Sequence, residues 1–329
     1  MTHFLLDLFG SVSYICFMIK NITNLLAIYE AFPTEQDAID HLRVLRWGEN
    51  NERAYCPYCG SDRVMHFKDG KNHKCKEKEC RKRFSIKVGT IFHDSKISLR
   101  KWFGAIWMIT SHKKGVASTQ LAKNIGVSQK TAWFMLHRLR HAAETKSFSA
   151  PMDGDIEVDE VYMGGKARNM HEKDRKARKQ YEKAAVVGVL KRDGELRAEH
   201  VPAPTKENVH AIVRENVSPD ARFMTDGSNL YKGLGPTMGG EYANHRVVKH
   251  NQGEYVVDGD VHTNSIEGVW ALFKRQVVGT HHWVSKKHLQ AYVNEMAWRF
   301  NRRDMEEGER VNELLKYVEG RLTYAELTA

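Results

Sequence analysis

Long hydrophobic runs are scarce in this sequence of 329 residues. The apolar opening stretch from Phe4 to Met18 is interrupted by Asp7 and is not preceded by Lys or Arg. It is also shorter than the roughly 20 residues that a membrane span requires. The sequence therefore predicts neither a transmembrane helix nor a signal peptide, and we expect a cytoplasmic protein with no membrane partner.

Cysteine is also scarce, and the five cysteines are unevenly placed. Four of them crowd into one short segment as Cys56, Cys59, Cys75 and Cys80, which favours a metal site over scattered disulfides. A CxxC knuckle followed by a second pair of thiolates can close a tetrahedral zinc site. We predict a structural zinc ribbon here. His73 is an alternative ligand, although a solvated surface histidine is the more common case.

Acidic residues are outnumbered, with 41 Asp+Glu against 51 Lys+Arg and a formal charge of +10. The excess is concentrated at residues 56–87, where ten basic residues face four acidic ones. Such a surface favours a polyanionic partner such as nucleic acid. A solvated charge run is the alternative, and zinc ribbons also mediate protein contacts.

Helix signals begin early in the chain. Asn24 to Ala31 resembles the start of an amphipathic helix, and Thr34 is a predicted N-cap for a helix that reaches Trp47. We interpret residues 1–30 as an N-terminal extension and residues 31–90 as a helix plus zinc ribbon. One hypothesis is that translation begins at Met18, so that residues 1–17 are not native.

Residues 91–145 contain the pattern of a helix-turn-helix. A short helix ends at Gly126, and Ser128 is the predicted cap of a second helix that runs to about Arg140. Residues on this second helix are predicted to contact DNA bases or phosphates: Gln129, Lys130, Thr131 and Arg138. A generic helical hairpin is the alternative interpretation.

After a linker at about residues 141–152, the pattern predicts strands and helices in the order strand, strand, strand, helix, strand, helix, strand, helix. The last helix is predicted from about Asn264 to Val278. This order predicts an RNase H-like domain at residues 152–305. A helical tail follows at residues 306–329. The fold class is therefore multidomain α+β: a zinc ribbon and helix-turn-helix, then an RNase H-like α/β domain with a mixed central sheet.

Acids fall where two-metal chemistry would need them. Asp159 lies on the first predicted strand of this domain and Asp226 ends the fourth, while Asn264 and Glu267 open the late helix. Lys274 shares a helical face with the latter two and could steady a phosphate. Asp159, Asp226 and Glu267 are the predicted ligands of two Mg²⁺ or Mn²⁺ ions about 4 Å apart. Glu160 is a weaker candidate, since strand alternation should point it away from Asp159.

The stretch HHWVSKKHL, which begins at His281, combines aromatic and basic residues. Lys286 and Lys287 are predicted to contact DNA, and Trp283 could stack on a DNA end. Burial of Trp283 in the core is the equally weighted alternative.

These motifs resemble the insertion-sequence DDE-type transposases of the ISXO-two-like group. The resemblance covers roughly residues 30 to 305 and includes the CxxC ribbon, IEVDEVYMGGK, FMTDG and HTNSIEGVWALFKR. It implies cleavage at element ends followed by strand transfer, with the first two catalytic aspartates at Asp159 and Asp226. The third position stays open between Asn264 and Glu267.

The implied partners are double-stranded DNA, as element terminal repeats and target, and further copies of the chain that assemble on it. The expected location is therefore the nucleoid. One rival class is a non-catalytic DNA-binding regulator or an inactive transposase copy, for which residues 30–145 would suffice. Another is an RNase H-like nuclease that does not transpose.

Overall fold

The computed structural model describes residues 22–144, 150–164, 183–249 and 256–329. The chain forms two compact units: unit 1 consists of Met1–Glu144 with Asp304–Ala329, and unit 2 of Thr145–Arg303. Residues 1–17, on which the start-site hypothesis depends, lie outside the described part. Within that part, none of the helices combines the length and apolarity that membrane crossing demands.

Unit 1 begins with helices whose N-cap residues can be recognised in the sequence. Thr34 forms a capping box with Asp37 at the start of the second helix, as the Thr34 cap predicted. The aromatic-rich helix that follows the ribbon is buried almost throughout. The helices of this part are α1 (Leu25–Ala31), α2 (Glu35–Trp47), α3 (Leu99–Ser111), α4 (Ser118–Ile125) and α5 (Gln129–Ala142).

Between α2 and α3 lies a small antiparallel sheet of three strands. They are β1 (Val64–His66), β2 (Asn72–Cys75) and β3 (Arg83–Ser85), in that order. Gly70 adopts φ +60° in the turn between β1 and β2, a conformation in which glycine has no steric penalty. The short strands bury little apolar surface, so a metal staple is the expected source of their stability.

Unit 2 is built on a mixed five-stranded sheet with strand order β6-β5-β4-β7-β8. The central strand β4 pairs antiparallel with β5 and parallel with β7. The mixed sheet predicted from the sequence is therefore observed. Its strands are β4 (Asp155–Met163), β5 (Ala184–Lys191), β6 (Leu196–Val201), β7 (Arg222–Asp226) and β8 (Arg246–Val248).

Helices cover both faces of this sheet. The α6 helix (Lys206–Asn216) and the loop after β7 bury one face, around Val158, Val187 and Phe223. The α7 helix (Asn264–Lys274) and the α8 helix (Lys286–Asn301) bury the other, around Val161, Val186 and Trp270. Both faces of the sheet are thus covered, which explains the nearly continuous apolar sequence of β5.

Two details of the predicted order are wrong. Where the order placed a helix between the fourth and fifth strands, the chain forms two short 3-10 turns, Asn229–Tyr231 and Pro236–Met238. The helix predicted over 264–278 is α-helical only to Lys274 and continues as a π-helix, Arg275–His281. Wider turns of this kind often occur at functional sites.

The C-terminal residues return to unit 1 and add helices α9 (Glu307–Lys316) and α10 (Tyr324–Thr328) to it. Asn312 of α9 lies 2.8 Å from the buried ring of His41 in α2. The backbone N–H of Ile91 donates to the carbonyl of Val318, and that of Gly320 donates to Gly89. The tail is therefore part of the packing of unit 1.

Candidate metal centres and nucleic-acid interface

The four cysteine thiols of the ribbon converge on one point. Their sulfur atoms all lie within 4.8 Å of one another, with Cys56 and Cys80 3.7 Å apart and Cys59 and Cys75 3.6 Å apart. Four sulfurs at the usual Zn–S bond length of about 2.3 Å would be separated by about 3.8 Å in a tetrahedron. The donor set and spacing therefore fit a zinc ion.

His73 does not belong to this cluster. Its side chain is fully buried, and its ring packs edge-on against Trp47 with centroids 4.6 Å apart. Its Nδ1 lies 2.9 Å from that of His66, and burial lowers the pKa of His73 to about 4. Both sequence interpretations of His73, as a solvated surface residue and as a substitute ligand, are corrected by this packing.

In unit 2, three carboxylates meet at the sheet. Oxygens of Asp159, Glu160 and Asp226 lie within 4.8 Å of one another. Ligand oxygens around one Mg²⁺ at about 2.1 Å would lie roughly 3 to 4.2 Å apart, so a small adjustment would let this cluster hold a divalent cation.

The strand pairing explains why these side chains meet. The pairing of β4 with β7 ends at Val158 and Thr225, so that Asp226, the last residue of β7, lies beside Asp159. Beyond this point no strand in the described ranges pairs with β4 on that side, and the Glu160 side chain can reach the same centre as Asp159. The expectation that alternation keeps Glu160 away from Asp159 is therefore wrong.

A tyrosine in the first 3-10 turn holds Glu160 in place. The buried Tyr231 hydroxyl donates to Glu160 Oε2 at 2.5 Å, and Ser228 Oγ donates to Oε1 at 3.4 Å. The backbone N–H of Ser228 donates to Asp226 Oδ1. The loop after β7 thus contacts two of the three carboxylates. The sequence signal for it was the presence of Ser228 and Tyr231 shortly after Asp226.

The negative charges of the three clustered carboxylates repel one another. Burial, together with the charges of Glu160, Asp226 and Glu267, raises the pKa of Asp159 to about 7. Burial also raises the pKa of Glu160, although the hydrogen bond from Tyr231 opposes this. A bound cation would remove the repulsion, so the site is suited to a metal.

The late helix presents its predicted polar face. Asn264, Glu267 and Lys274 are exposed, and the opposite face of α7 is buried through Ile266 and Trp270. Glu267 is near enough for its charge to act on Asp159, yet it is not among the three clustered carboxylates. Asn264 lies at the first position of the helix and Lys274 at its last.

A buried glutamate joins α7 to β4, which sequence reasoning did not find. Glu157 is fully buried, and its carboxylate accepts from Arg192 Nε at 2.8 Å and from the backbone N–H of Ile266 at 2.9 Å. It therefore satisfies an orphan donor at the N-terminus of α7, two residues before Asp159 on the strand. Its only local signal was an acid between the β-branched residues Ile156 and Val158.

In unit 1, the turn between α4 and α5 has the predicted geometry. Gly126 adopts a left-handed conformation at φ +63°, and the Ser128 side chain accepts from the N–H of Thr131 at the start of α5. Gln129 and Lys130 are exposed at this end and Thr131 is half-buried. Gln129 Nε2 donates to Ser118 Oγ at 2.9 Å.

The prediction that Arg138 contacts DNA is contradicted by its burial. Its side chain is 6% exposed, and its guanidinium donates to the carbonyls of Ile91, His93 and Leu322. The C-terminal residues cover this side of α5, and the ring of Tyr324 packs against Phe134 with centroids 5.5 Å apart. The exposed part of α5 is thus its N-terminal end.

The aromatic and basic stretch of unit 2 is exposed. Trp283 is 68% exposed, which excludes the alternative that it lies in the core. Lys286 and Lys287, in the first turn of α8, are exposed as well.

Comparison with known proteins matches both units. Residues 151–301 match the model of the ISXO2-like transposase domain, and residues 33–83 match the transposase zinc-ribbon domain, so that the two matches span well over half of the chain. The chain belongs to the ISXO2-like transposases. The ribbon of this transposase is thus a family domain, and the carboxylate cluster lies within the matched transposase domain.

A curated relative is the "Uncharacterized protein in transposable element ISH50" of Halobacterium salinarum. It is 28% identical over 278 residues, which cover 80% of this chain and 90% of the relative. The similarity therefore extends across both units of the transposase.

Proposed function

We propose that this insertion-sequence transposase is an active DDE-type enzyme that cleaves the ends of its element and joins them to target DNA. The observation on which this rests is the meeting of Asp159, Glu160 and Asp226 at the end of β7, within the matched domain. The sheet order, with antiparallel β6-β5-β4 followed by parallel β7 and β8, supports an RNase H-like fold.

In this proposal Asp159 and Asp226 hold divalent cations, Mg²⁺ or Mn²⁺, together with Glu160 or Glu267. Such ions activate a water or 3′-hydroxyl for in-line attack on phosphorus and stabilise the leaving oxygen. Tyr231 orients Glu160 through its hydroxyl, and Glu157 holds the first turn of α7 against β4. Lys274, exposed on α7, would contact a phosphate of the bound strand.

Unit 1 would supply the DNA contacts. Eight of the ten basic residues of the ribbon segment are exposed, which supports phosphate contact. The left-handed Gly126 and the Ser128 cap between α4 and α5 support a helix-turn-helix, in which the N-terminal residues of the second helix approach the bases. Gln129, Lys130 and Thr131 are placed for this role, whereas Arg138 supports the fold of unit 1.

A strand-transfer assay tests the proposal. The protein is incubated with Mg²⁺, a labelled duplex that contains its native element end, and a target plasmid. We expect joined products from the wild type and none from Asp159→Asn or Asp226→Asn, both of which should still bind the end. Asp193→Asn is a matched control, because it lies in the turn between β5 and β6 at φ +54°, a conformation that asparagine tolerates.

Loss of end binding in the Asp159→Asn or Asp226→Asn variant, or cleavage that persists in either, would contradict the assignment of the two aspartates. Binding by the wild type with neither cleavage nor joining would favour an inactive copy or a regulator.

A further inference from the structure

The segment of chain around Trp283 lacks acidic residues and exposes apolar ones. No Asp or Glu occurs between Glu267 and Glu295 in the sequence, whereas acids make up 41 of the 329 residues of the chain. Within this span, the segment 274–287 exposes four cationic residues: Lys274, Arg275, Lys286 and Lys287. It is therefore a cationic surface with no acidic side chain of its own to oppose it.

Two large apolar side chains of the same segment are exposed. Trp283 is 68% exposed and Val278 is 65% exposed, and no large hydrophobic side chain in the described ranges is more exposed than Trp283. The other tryptophans are buried, apart from the half-buried Trp133. Burial of an indole removes some 150 to 250 Å² of surface from water, so a ligand that covered this ring would gain favourable contact area.

The segment is nevertheless firmly supported. Gln276 of the π-helix is fully buried and bonded to Glu295 and Arg299 of α8, and the ring of His281 packs against Tyr292. The N–H of Trp283 donates to the carbonyl of His281 at 2.7 Å, with His282 at φ +63°. These contacts fix the backbone that carries Trp283, whereas its exposed indole is accessible to a ligand.

We propose that the segment 274–287 binds cut DNA and that Trp283 stacks on an unpaired base within a few nucleotides of the cut. The charge of the segment selects a polyanion. Inside a duplex the faces of the bases are already stacked on each other, so an indole can meet a base face only where a base has left the stack.

This inference rests on the proposed function, since cleavage is what would generate such an end. The separation along the chain agrees with it. Val278, in the π-helix that continues α7, follows Glu267 by eleven residues, which is at most about 17 Å of helix. A DNA strand bound at the carboxylates can therefore reach the segment within roughly five nucleotides.

Binding is tested without Mg²⁺ or Mn²⁺, so that no cleavage occurs. The probes are a blunt duplex of about 20 base pairs and the same duplex with a three-nucleotide 3′ overhang, whose first unpaired base is 2-aminopurine. Stacking of one base on an aromatic ring corresponds to roughly 5- to 150-fold in affinity. We expect the wild type and Trp283→Phe to prefer the overhang by at least about fivefold and to quench the aminopurine.

The Trp283→Ala variant should bind both probes equally, with its affinity for the blunt duplex within about twofold of the wild type and with no quenching. Because the ring is exposed, its removal should leave the fold intact, which an unchanged thermal unfolding midpoint checks. Lys286→Ala with Lys287→Ala is the complementary variant. It should weaken binding of both probes alike and reduce the slope of log affinity against log salt by about 2.

Equal affinity of the wild type for the two probes, or an overhang preference that survives in Trp283→Ala, would overturn the inference and leave cleavage by the carboxylate site untouched. Conversely, a preference that depends on Trp283 in a protein without metal-dependent cleavage would support the inference and count against the proposed catalysis. The two failures are thus distinguishable.

Discussion

Replacing the buried Glu157 should release the first turn of α7 from strand β4. Its carboxylate accepts from Arg192 Nε and from the N–H of Ile266, and it lies 3.3 Å from His262 Nδ1. Since Glu157 precedes Asp159 by two residues and α7 presents Glu267, this contact sets the separation of the strand and the helix at the candidate site. Glu157→Ala and Glu157→Gln are the informative variants.

The expected magnitudes follow from what each variant leaves unpaired. Removal of one partner of a buried ion pair costs about 3 to 5 kcal/mol. Arg192 keeps its bonds to the carbonyls of Asp260 and His262, which favours the lower end of that range. Adding about 1 kcal/mol for the lost helix cap gives about 4 kcal/mol for Glu157→Ala. The glutamine retains one acceptor oxygen, so about 2 kcal/mol is expected for it.

Amide hydrogen exchange of peptides from α7 measures this local opening. About 4 kcal/mol corresponds to a roughly 1,000-fold loss of protection, and about 2 kcal/mol to roughly 30-fold. Glu199→Gln, an exposed change on β6 of the same sheet, is the matched control and should alter stability by no more than about 0.5 kcal/mol. Strand transfer should fall in Glu157→Gln while DNA binding is retained.

Unchanged protection of α7 in Glu157→Ala would refute this reasoning, because it would mean that the buried carboxylate does not hold the helix. Loss of protection throughout unit 2, with no larger effect in α7, would show a general packing role instead.

Three further predictions concern unit 1. Cys56→Ser should abolish bound zinc and unfold the ribbon, whereas Cys16→Ser, outside the ribbon, should retain one zinc per chain by metal analysis; unchanged metal content in the first variant would contradict the site. Burial lowers the pKa of His41 to about 4. In the unfolded chain His41 is protonated below about pH 6.5, whereas in the folded chain it stays neutral down to about pH 4. The folded state therefore loses stability as the pH falls from 6.5 toward 4. The free energy of unfolding should decrease by about 2 kcal/mol between pH 7 and 5, and urea unfolding of His41→Gln should lack this decrease. Lys130→Ala should weaken binding of the element end and lower its salt slope by about 1, while Arg138→Ala should lower the unfolding midpoint because three carbonyls lose their donor. A weakened DNA affinity in Arg138→Ala at unchanged stability would restore the original interpretation of that residue.

Local signals in the sequence predicted the elements of this transposase well. The caps at Thr34 and Ser128, the left-handed Gly126 and the four clustered cysteines all act within a few residues of chain, so their physical effect is visible in sequence order. The mixed sheet followed from the order of strands and helices for the same reason. Asp226 was found because it ends a strand.

The errors share a different physical origin. Arg138 is buried partly by the C-terminal residues: its guanidinium donates to the carbonyl of Leu322, which lies 184 positions further along the chain. Glu160 approaches Asp159 because β7 stops at Asp226, a fact about the pairing of distant strands. Similarly, His73 is buried by Trp47 of the preceding helix. No periodicity within a single element contains this information.

The sequence by itself thus determined most of the helices, strands and turns, and which residues have the chemistry to bind zinc, divalent cations and DNA. Only the tertiary structure decided which acids share one centre, which basic residues are exposed, and that the C-terminal helices belong to unit 1. Propensities and caps depend on neighbouring residues, whereas burial and the convergence of side chains depend on contacts between residues far apart in the chain.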